Sequence, residues 1–235
     1  MHSSTYTVQD QERMARAKNY VAWQSRLILP ELGQRVVEVG CGAGNFTGEL
    51  LDREAVIALD MEPECIEHLR ARYPDRPNLR ALVCDPCSAS FADLARYHAD
   101  SCVCSNVLEH IEDDERALAA MAAILEPRGK IVLWVPAFQA LYGPIDRRLN
   151  HYRRYRRNDL VRLAERTGLD LKNIHYVNVA GFFLWWASSH ILRQQSLAEI
   201  QIDIFDRLIA PWLSPLEAVI RPPFGQSLFA VLKKR

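Results

Sequence analysis

A chain of 235 residues, 49% of them hydrophobic and 25% charged, holds enough material for one full α/β domain. Lysine plus arginine equals aspartate plus glutamate at 29 each, which excludes a net field that would gather polyanions or anionic membranes. The polar opening does not read as a secretory leader, and the apolar stretch "VNVAGFFLWWASSHIL" is too short and too interrupted for a bilayer span, so the expected compartment is the cytoplasm.

Residues 7–29 place Met14, Ala17, Tyr20, Val21, Leu27 and Ile28 at helical spacing, with Thr7 as the expected cap and Pro30 past the end. Strands and helices then alternate. "RVVEVG" reads as a strand, "NFTGELLD" as the start of a helix and "AVIALD" as a second strand. "PECIEHLRARY" is a helix opened by Pro63, "NLRALVCD" a third strand, "FADLARYH" helical and "SCVCSN" a fourth strand. "DDERALAAMAAIL" carries its acids in the first turn, where the helix dipole favours them, and "GKIVLWVP" is a fifth strand. Asn158 is the expected cap of "DLVRLAERTGL", "DLKNIHYVNV" alternates like a strand, and "GQSLFAVLKK" closes the chain as another. The alternation predicts a doubly wound α/β sheet in a single domain over 1–235. Its parts are an N-terminal helical cap (1–30), a core (31–181), an apolar helical insert (182–225) and a closing strand (226–235).

The cysteines offer a superficial metal pattern, Cys84-x-x-Cys87 with Cys102-x-Cys104. Cys102 and Cys104 share one face of a strand, and free cysteine usually behaves as a small buried hydrophobe, so neither zinc nor a disulfide is expected and no metal is assigned.

The turn "VVEVGCGAGNFT" gives Gly40, Gly42 and Gly44 directly after the first strand, where ligands bind in open α/β sheets. Its spacing is G-x-G-x-G and not the G-x-G-x-x-G of a dinucleotide site, which argues against a nicotinamide enzyme. Asp60 ends the second strand, where a carboxylate suits two vicinal ribose hydroxyls, and Asp85 ends the third, where an acceptor can meet an amino group.

These elements resemble the class I S-adenosylmethionine-dependent methyltransferases, through "EVGCGAG", "ALDME", "VCDP" and "SNVLEHIEDD…LEPRGKIVLWVP", over roughly residues 20–180. The resemblance implies a Rossmann-like seven-stranded sheet with the last strand antiparallel, and S-adenosyl-L-methionine as cofactor. It implies that Glu38, Gly40, Cys41, Gly42 and Gly44 line the methionine part, Asp60 the ribose, and Met61, Asp85 and Pro86 the adenine, with Asn106 beside the reactive centre. On that reading the glycines leave room for the cofactor.

The acceptor is less defined. Histidine suits the removal of a proton near neutral pH, which makes His110 in "NVLEHIEDD" and His151 candidates, although for His110 a plain place at a helix entrance is the stronger reading. The stretch "LYGPIDRRLNHYRRYRRND" interleaves arginines with Tyr152 and Tyr155, and Tyr142, Arg153, Arg154 and Tyr155 are expected toward the site. A similar His-Tyr-Arg-Arg-Tyr run is found in bacterial small-molecule biosynthetic methyltransferases, which the loop resembles. Tyr20 and Trp185 are further candidate acceptor contacts. The insert is read either as a lid over a hydrophobic acceptor or as a homodimer face. A small, partly apolar acceptor methylated on oxygen is the main expectation, with nitrogen and carbon open. RNA or protein methylation through the arginine loop, and a non-catalytic cofactor-binding subunit, are the alternatives; neutral charge argues against nucleic acid.

Overall fold

The computed structural model describes residues 16–235 apart from 195 and 197, so the expected cap Thr7 and Met14 lie outside the described residues. A seven-stranded sheet runs in the order β3-β2-β1-β4-β5-β7-β6. Its strands are β1 (Arg35–Val39), β2 (Ala55–Asp60), β3 (Leu79–Val83), β4 (Ala99–Ser105), β5 (Leu125–Pro136), β6 (Leu169–Val177) and β7 (Ser227–Lys234). β1 to β5 are parallel, and β7 runs antiparallel to both β5 and β6. This is the doubly wound sheet with a reversed last strand that the alternation and the resemblance predicted.

The helices that frame the sheet are α1 (Lys18–Ile28), α2 (Pro63–Arg72), α3 (Asp114–Ala123), α4 (Pro144–Arg148) and α5 (Arg157–Arg166). Both sheet faces are buried because successive strand residues point to opposite sides and both sides are apolar. Val37, Val39, Cys102 and Cys104 pack with Leu118 of α3 and Leu163 of α5 on one face. Val36, Val103, Val132 and Trp134 meet Trp23 and Ile28 of α1 on the other. Trp23 is therefore core. Burial pushes the Cys102 and Cys104 thiols up, and β2 and β1 stand between β3 and β4, so the four cysteines of the apparent metal pattern do not converge.

Several local expectations differ from the structure, among them the helix expected over 7–29, whose described part begins at Lys18 with Arg16 and Ala17 outside it. The segment after the glycine turn forms only a short 3-10 turn, Thr47–Leu50, and no longer helix. Gly44 and Gly48 each disfavour a helix by about 1 kcal/mol, and the Thr47 hydroxyl is turned inward to donate to Glu38 at 2.7 Å. Ala89–Tyr97 is likewise a run of 3-10 turns, closed by His98 at φ +52°. Asn158 does not cap α5: the helix begins one residue earlier, and the Asp159 carboxylate accepts from the backbone N–H of Arg156 at 2.8 Å.

Between β6 and β7 the chain leaves the sheet and returns, with Val177 opposite Ser227. The excursion carries α6 (Val179–Trp186), which runs into a π-turn, then α7 (Glu199–Ile204) and α8 (Ala210–Val219). Asn178 caps α6 by accepting from the Gly181 N–H, and Glu217 of α8 accepts from the Asn178 and Val179 N–H groups, each at 2.8 Å. Buried Asp206 accepts from the Tyr20 N–H at 2.8 Å and from Asn19 Nδ2 at 3.2 Å, while Arg16 pairs with Asp203 and Glu199. These contacts tie α1 and the excursion into one cover over the carboxyl ends of β4 and β5. Its outer surface leaves large apolar groups in water, Trp212 at 79% and Val219 at 84%. No helix among the described residues is long and apolar enough to cross a membrane.

Candidate active site

Two regions adjoin at the carboxyl edge of the sheet. The first is the glycine turn. Gly40 and Gly44 take φ of +74° and +82°, a region in which a side chain is strained. A Cβ at Gly40 would run into Val107, and one at Gly44 into Leu69. Bare backbone at these two positions thus lets the turn adopt its left-handed conformations and pack against Val107 and Leu69.

Asp60, at the end of β2, holds that turn by accepting from the Gly42 N–H at 2.8 Å, and accepts from the Glu62 N–H at 3.0 Å. Burial pushes its carboxyl above the usual value against these hydrogen bonds. Glu38 is buried beneath the turn, and burial raises it to about 7 against the Thr47 hydrogen bond. Asp85 accepts from the Cys87 N–H at 2.7 Å. Beside these two strand-end acids, Met61 and Val83 leave apolar side chains 62% and 52% exposed. Carboxylates flanked by exposed apolar groups suit a ribose and a purine, so the residues present fit S-adenosylmethionine.

The second region is a cavity of about 430 Å³ between the sheet edge and the cover of α1 and the insert. Asn106 and Pro136 form its floor, with Tyr20, Leu184, Trp185 and Phe205 among its apolar walls. Asn106 sits at φ +54° just past β4, a left-handed position that asparagine tolerates, and its N–H donates to the Trp134 carbonyl at 2.7 Å.

A polar cluster interrupts these walls. Glu109, His110, His151 and Arg154 all line the cavity. The His110 and His151 rings meet edge to face with centroids 4.6 Å apart. His151 Nδ1 lies 2.8 Å from Asp146 Oδ1, which also accepts from Arg154 Nε at 2.7 Å. Asp146 is fully buried: burial alone would raise its carboxyl, but the hydrogen bond from His151 and the Arg154 charge hold it below its usual value. Its second oxygen accepts from the Gly143 N–H at 3.0 Å, so it is satisfied on both sides. The Arg154 guanidinium stacks on Trp185, 4.6 Å from the ring centre. Burial pushes His110 down to about 4, so it is neutral at neutral pH, and pushes Glu109 up to about 7. Glu109 is 1% exposed, and its Oε2 has no hydrogen-bond partner.

The expected acceptor-site residues divide. His110, His151, Tyr20, Arg154 and Trp185 come together on the cavity, joined there by Asn106, which was expected on the cofactor side. The others are spent on the framework. The Tyr142 hydroxyl donates to the His151 carbonyl at 2.8 Å. Arg153 pairs with Asp114 at 2.8 Å and donates to the Glu112 carbonyl. Tyr155 is buried and donates to the Leu108 carbonyl or Asp114. Two functional groups escaped the sequence reading. Glu109 was legible as the neighbour of His110, whereas nothing in "PIDRR" marks Asp146 as the partner of His151.

Residues 37–133 match the methyltransferase domain family. The chain is 32% identical over 109 residues to a ubiquinone biosynthesis O-methyltransferase of Xanthomonas axonopodis pv. citri, a match covering 45% of this chain and 44% of that protein. It is 39% identical over 100 residues to an uncharacterized methyltransferase of Exiguobacterium sibiricum, covering 41% and 43%. The chain thus spans less than half the length of these two relatives. Its fold is similar to that of a putative methyltransferase from Bacillus halodurans, with a TM-score of 0.60 at 15% identity over 89% of this chain and 97% of that one. An S-adenosylmethionine-dependent methyltransferase from Mesorhizobium loti gives 0.56 at 19% identity over 90% and 96%.

Proposed function

We propose that this chain is a class I S-adenosylmethionine-dependent methyltransferase that methylates a small, partly apolar acceptor on oxygen, a reading supported by the methyltransferase-domain match over residues 37–133 and by the fold. The observation that carries this reading is the roofed cavity: its walls are mostly apolar, and its polar groups are gathered around His110. A flat basic surface would favour a nucleic acid, but Arg153 and Arg154 are engaged by Asp114 and Asp146.

Glu38, Asp60, Met61 and Asp85, with the backbone of residues 40–44, would hold the cofactor. S-adenosylmethionine supplies an electrophilic methyl group on a sulfonium. The chain's own part is then to orient the acceptor and weaken its O–H bond. Orientation alone can contribute roughly 7–11 kcal/mol toward the barrier. The cover of α1 and the insert walls the cavity on one side, and Tyr20 and Trp185 offer flat apolar contact. The cluster of Glu109, His110 and His151 draws on the acceptor's proton; neutral His110 has a free lone pair for it, and Asp146 keeps the His151 ring in one orientation.

The test is transfer of labelled methyl from S-adenosylmethionine into a fractionated cell extract. Label in the organic-soluble fraction is expected, and label confined to protein or RNA would overturn the reading. Once an acceptor is in hand, His110→Asn should lower kcat by ~10²–10⁴-fold, with cofactor affinity unchanged. An unaltered kcat would remove His110 from the chemistry.

A further inference from the structure

Among the described residues, Glu109, His110 and His151 form a group whose ligand-capable atoms all lie within 4.8 Å of one another. They come from two separate parts of the chain: the short turn after β4 supplies Glu109 and His110, and the loop after α4 supplies His151. We propose that these three side chains bind a single divalent transition-metal cation at the wall of the acceptor cavity. Coordination of the acceptor's oxygen by that cation rests on the methyltransferase reading; the binding of the cation itself does not.

The arrangement of donors carries the proposal. Glu109 is 1% exposed, yet its Oε2 has no partner, although a buried carboxylate oxygen left unpaired costs about 1–3 kcal/mol or more. A cation would satisfy it. His151 turns Nδ1 to the Asp146 carboxylate at 2.8 Å, which leaves Nε2 as the ligand atom. A carboxylate behind a histidine is the arrangement that orients metal-bound imidazoles and raises their basicity. Asp146 is itself fixed by Arg154 and by the Gly143 N–H. His110 turns one ring nitrogen toward the backbone of Leu149 and has the other for the cation. Two imidazoles with one carboxylate suit zinc, iron or nickel better than magnesium or calcium, which prefer all-oxygen shells.

The site also has the open side that a working centre needs. All three ligands line the cavity of about 430 Å³, so a fourth position faces the space an acceptor would fill. With the cation bound, the free nitrogen of His110 is a ligand and no longer the base; an acceptor hydroxyl whose oxygen enters there would instead have its pKa lowered and would release its proton to water through the open side of the cavity. The cysteines belong elsewhere: Cys102 and Cys104 are buried within the sheet core.

The test uses the full chain without an affinity tag, stripped with a chelator and titrated with Co²⁺, followed by Zn²⁺ in competition. One Co²⁺ per chain is expected, with ligand-field absorption and no thiolate-to-cobalt charge-transfer band. Glu109→Gln and His151→Gln should each weaken binding at least ~10-fold, and Asp146→Asn by ~10–100-fold, with S-adenosylmethionine affinity reporting that each variant is folded. Absence of stoichiometric Co²⁺, a thiolate band, or folded Glu109 and His151 variants that bind as the wild type would each overturn the proposal. Cobalt binding that depends on these residues in a chain without methyl transfer would uphold the metal site while sinking the enzymatic reading.

Discussion

Glu38 and Asp60 stand beside the same glycine turn, and their different surroundings set different tests. In the folded chain burial raises Glu38 to about 7 from 4.5, so the native state keeps a proton that the unfolded chain releases in between. Its contribution to stability is full below about pH 4.5 and is lost as pH rises through about 7, on the order of 3 kcal/mol over that window. Glu38→Gln does not titrate and can still accept from Thr47. Its cofactor-free stability relative to wild type should therefore grow between about pH 5 and about pH 8 in urea unfolding, and a difference independent of pH would refute the assignment. Asp60→Ala removes acceptors worth about 1.5–3 kcal/mol per charge-assisted hydrogen bond. It should weaken S-adenosylmethionine binding by ~10–100-fold in calorimetry, and unchanged affinity would remove Asp60 from the cofactor site. Asp60 was legible because it ends a recognisable strand, and Glu38 because it stands inside the strand that leads into the glycine turn and matches the family's first motif. Asp146 was not, because its meaning lies in a contact with His151 and Arg154 made only after the loop folds back on itself.

At the scale of elements, the strands were read closely, since apolar runs bounded by charge and glycine have few alternatives. Helix type was read less well. Thr47–Leu50 and Ala89–Tyr97 settle for 3-10 turns because spacing counts apolar positions but not the pull of a neighbour such as Glu38 on Thr47. The junction of α1 with the insert includes a buried carboxylate, Asp206, which no periodicity announces. Asp206→Ala leaves the Tyr20 N–H without its acceptor, at a cost of ~1–3 kcal/mol. We expect a lower Tm and a raised KM for the acceptor, with cofactor affinity little changed because the glycine turn is a separate region. Equal losses in both affinities would show that α1 supports the cofactor instead.

Across the whole molecule, cofactor edge and acceptor cavity are built from different stretches of chain. Residues of β1, β2 and β3 and the turns that follow them frame the first, whereas α1 and the insert roof the second. Because Val177 and Ser227 are already paired, we expect a short flexible linker in place of residues 182–223 to leave the sheet formed, with loss of the packing of Phe205 and Leu213 on its core. Such a chain should bind S-adenosylmethionine within a few-fold of wild type and lose acceptor methylation. Loss of cofactor binding as well would mean that the two regions are not separable.

The sequence by itself determined the alternating fold, the glycine turn and the acids at the ends of β2 and β3, because each is a local signal repeated at a fixed place relative to a strand. It also named His110, His151, Arg154, Trp185 and Tyr20, which do meet on one cavity. Tertiary structure alone decided that Arg153, Tyr142 and Tyr155 turn away to Asp114, the His151 carbonyl and Leu108. It alone brought Glu109 against two histidines with an unpartnered oxygen. The physical reason is common to both. A residue type states which bonds a side chain can make, and only the packed chain states which partners come within 3 Å or so of it and exclude water from the rest.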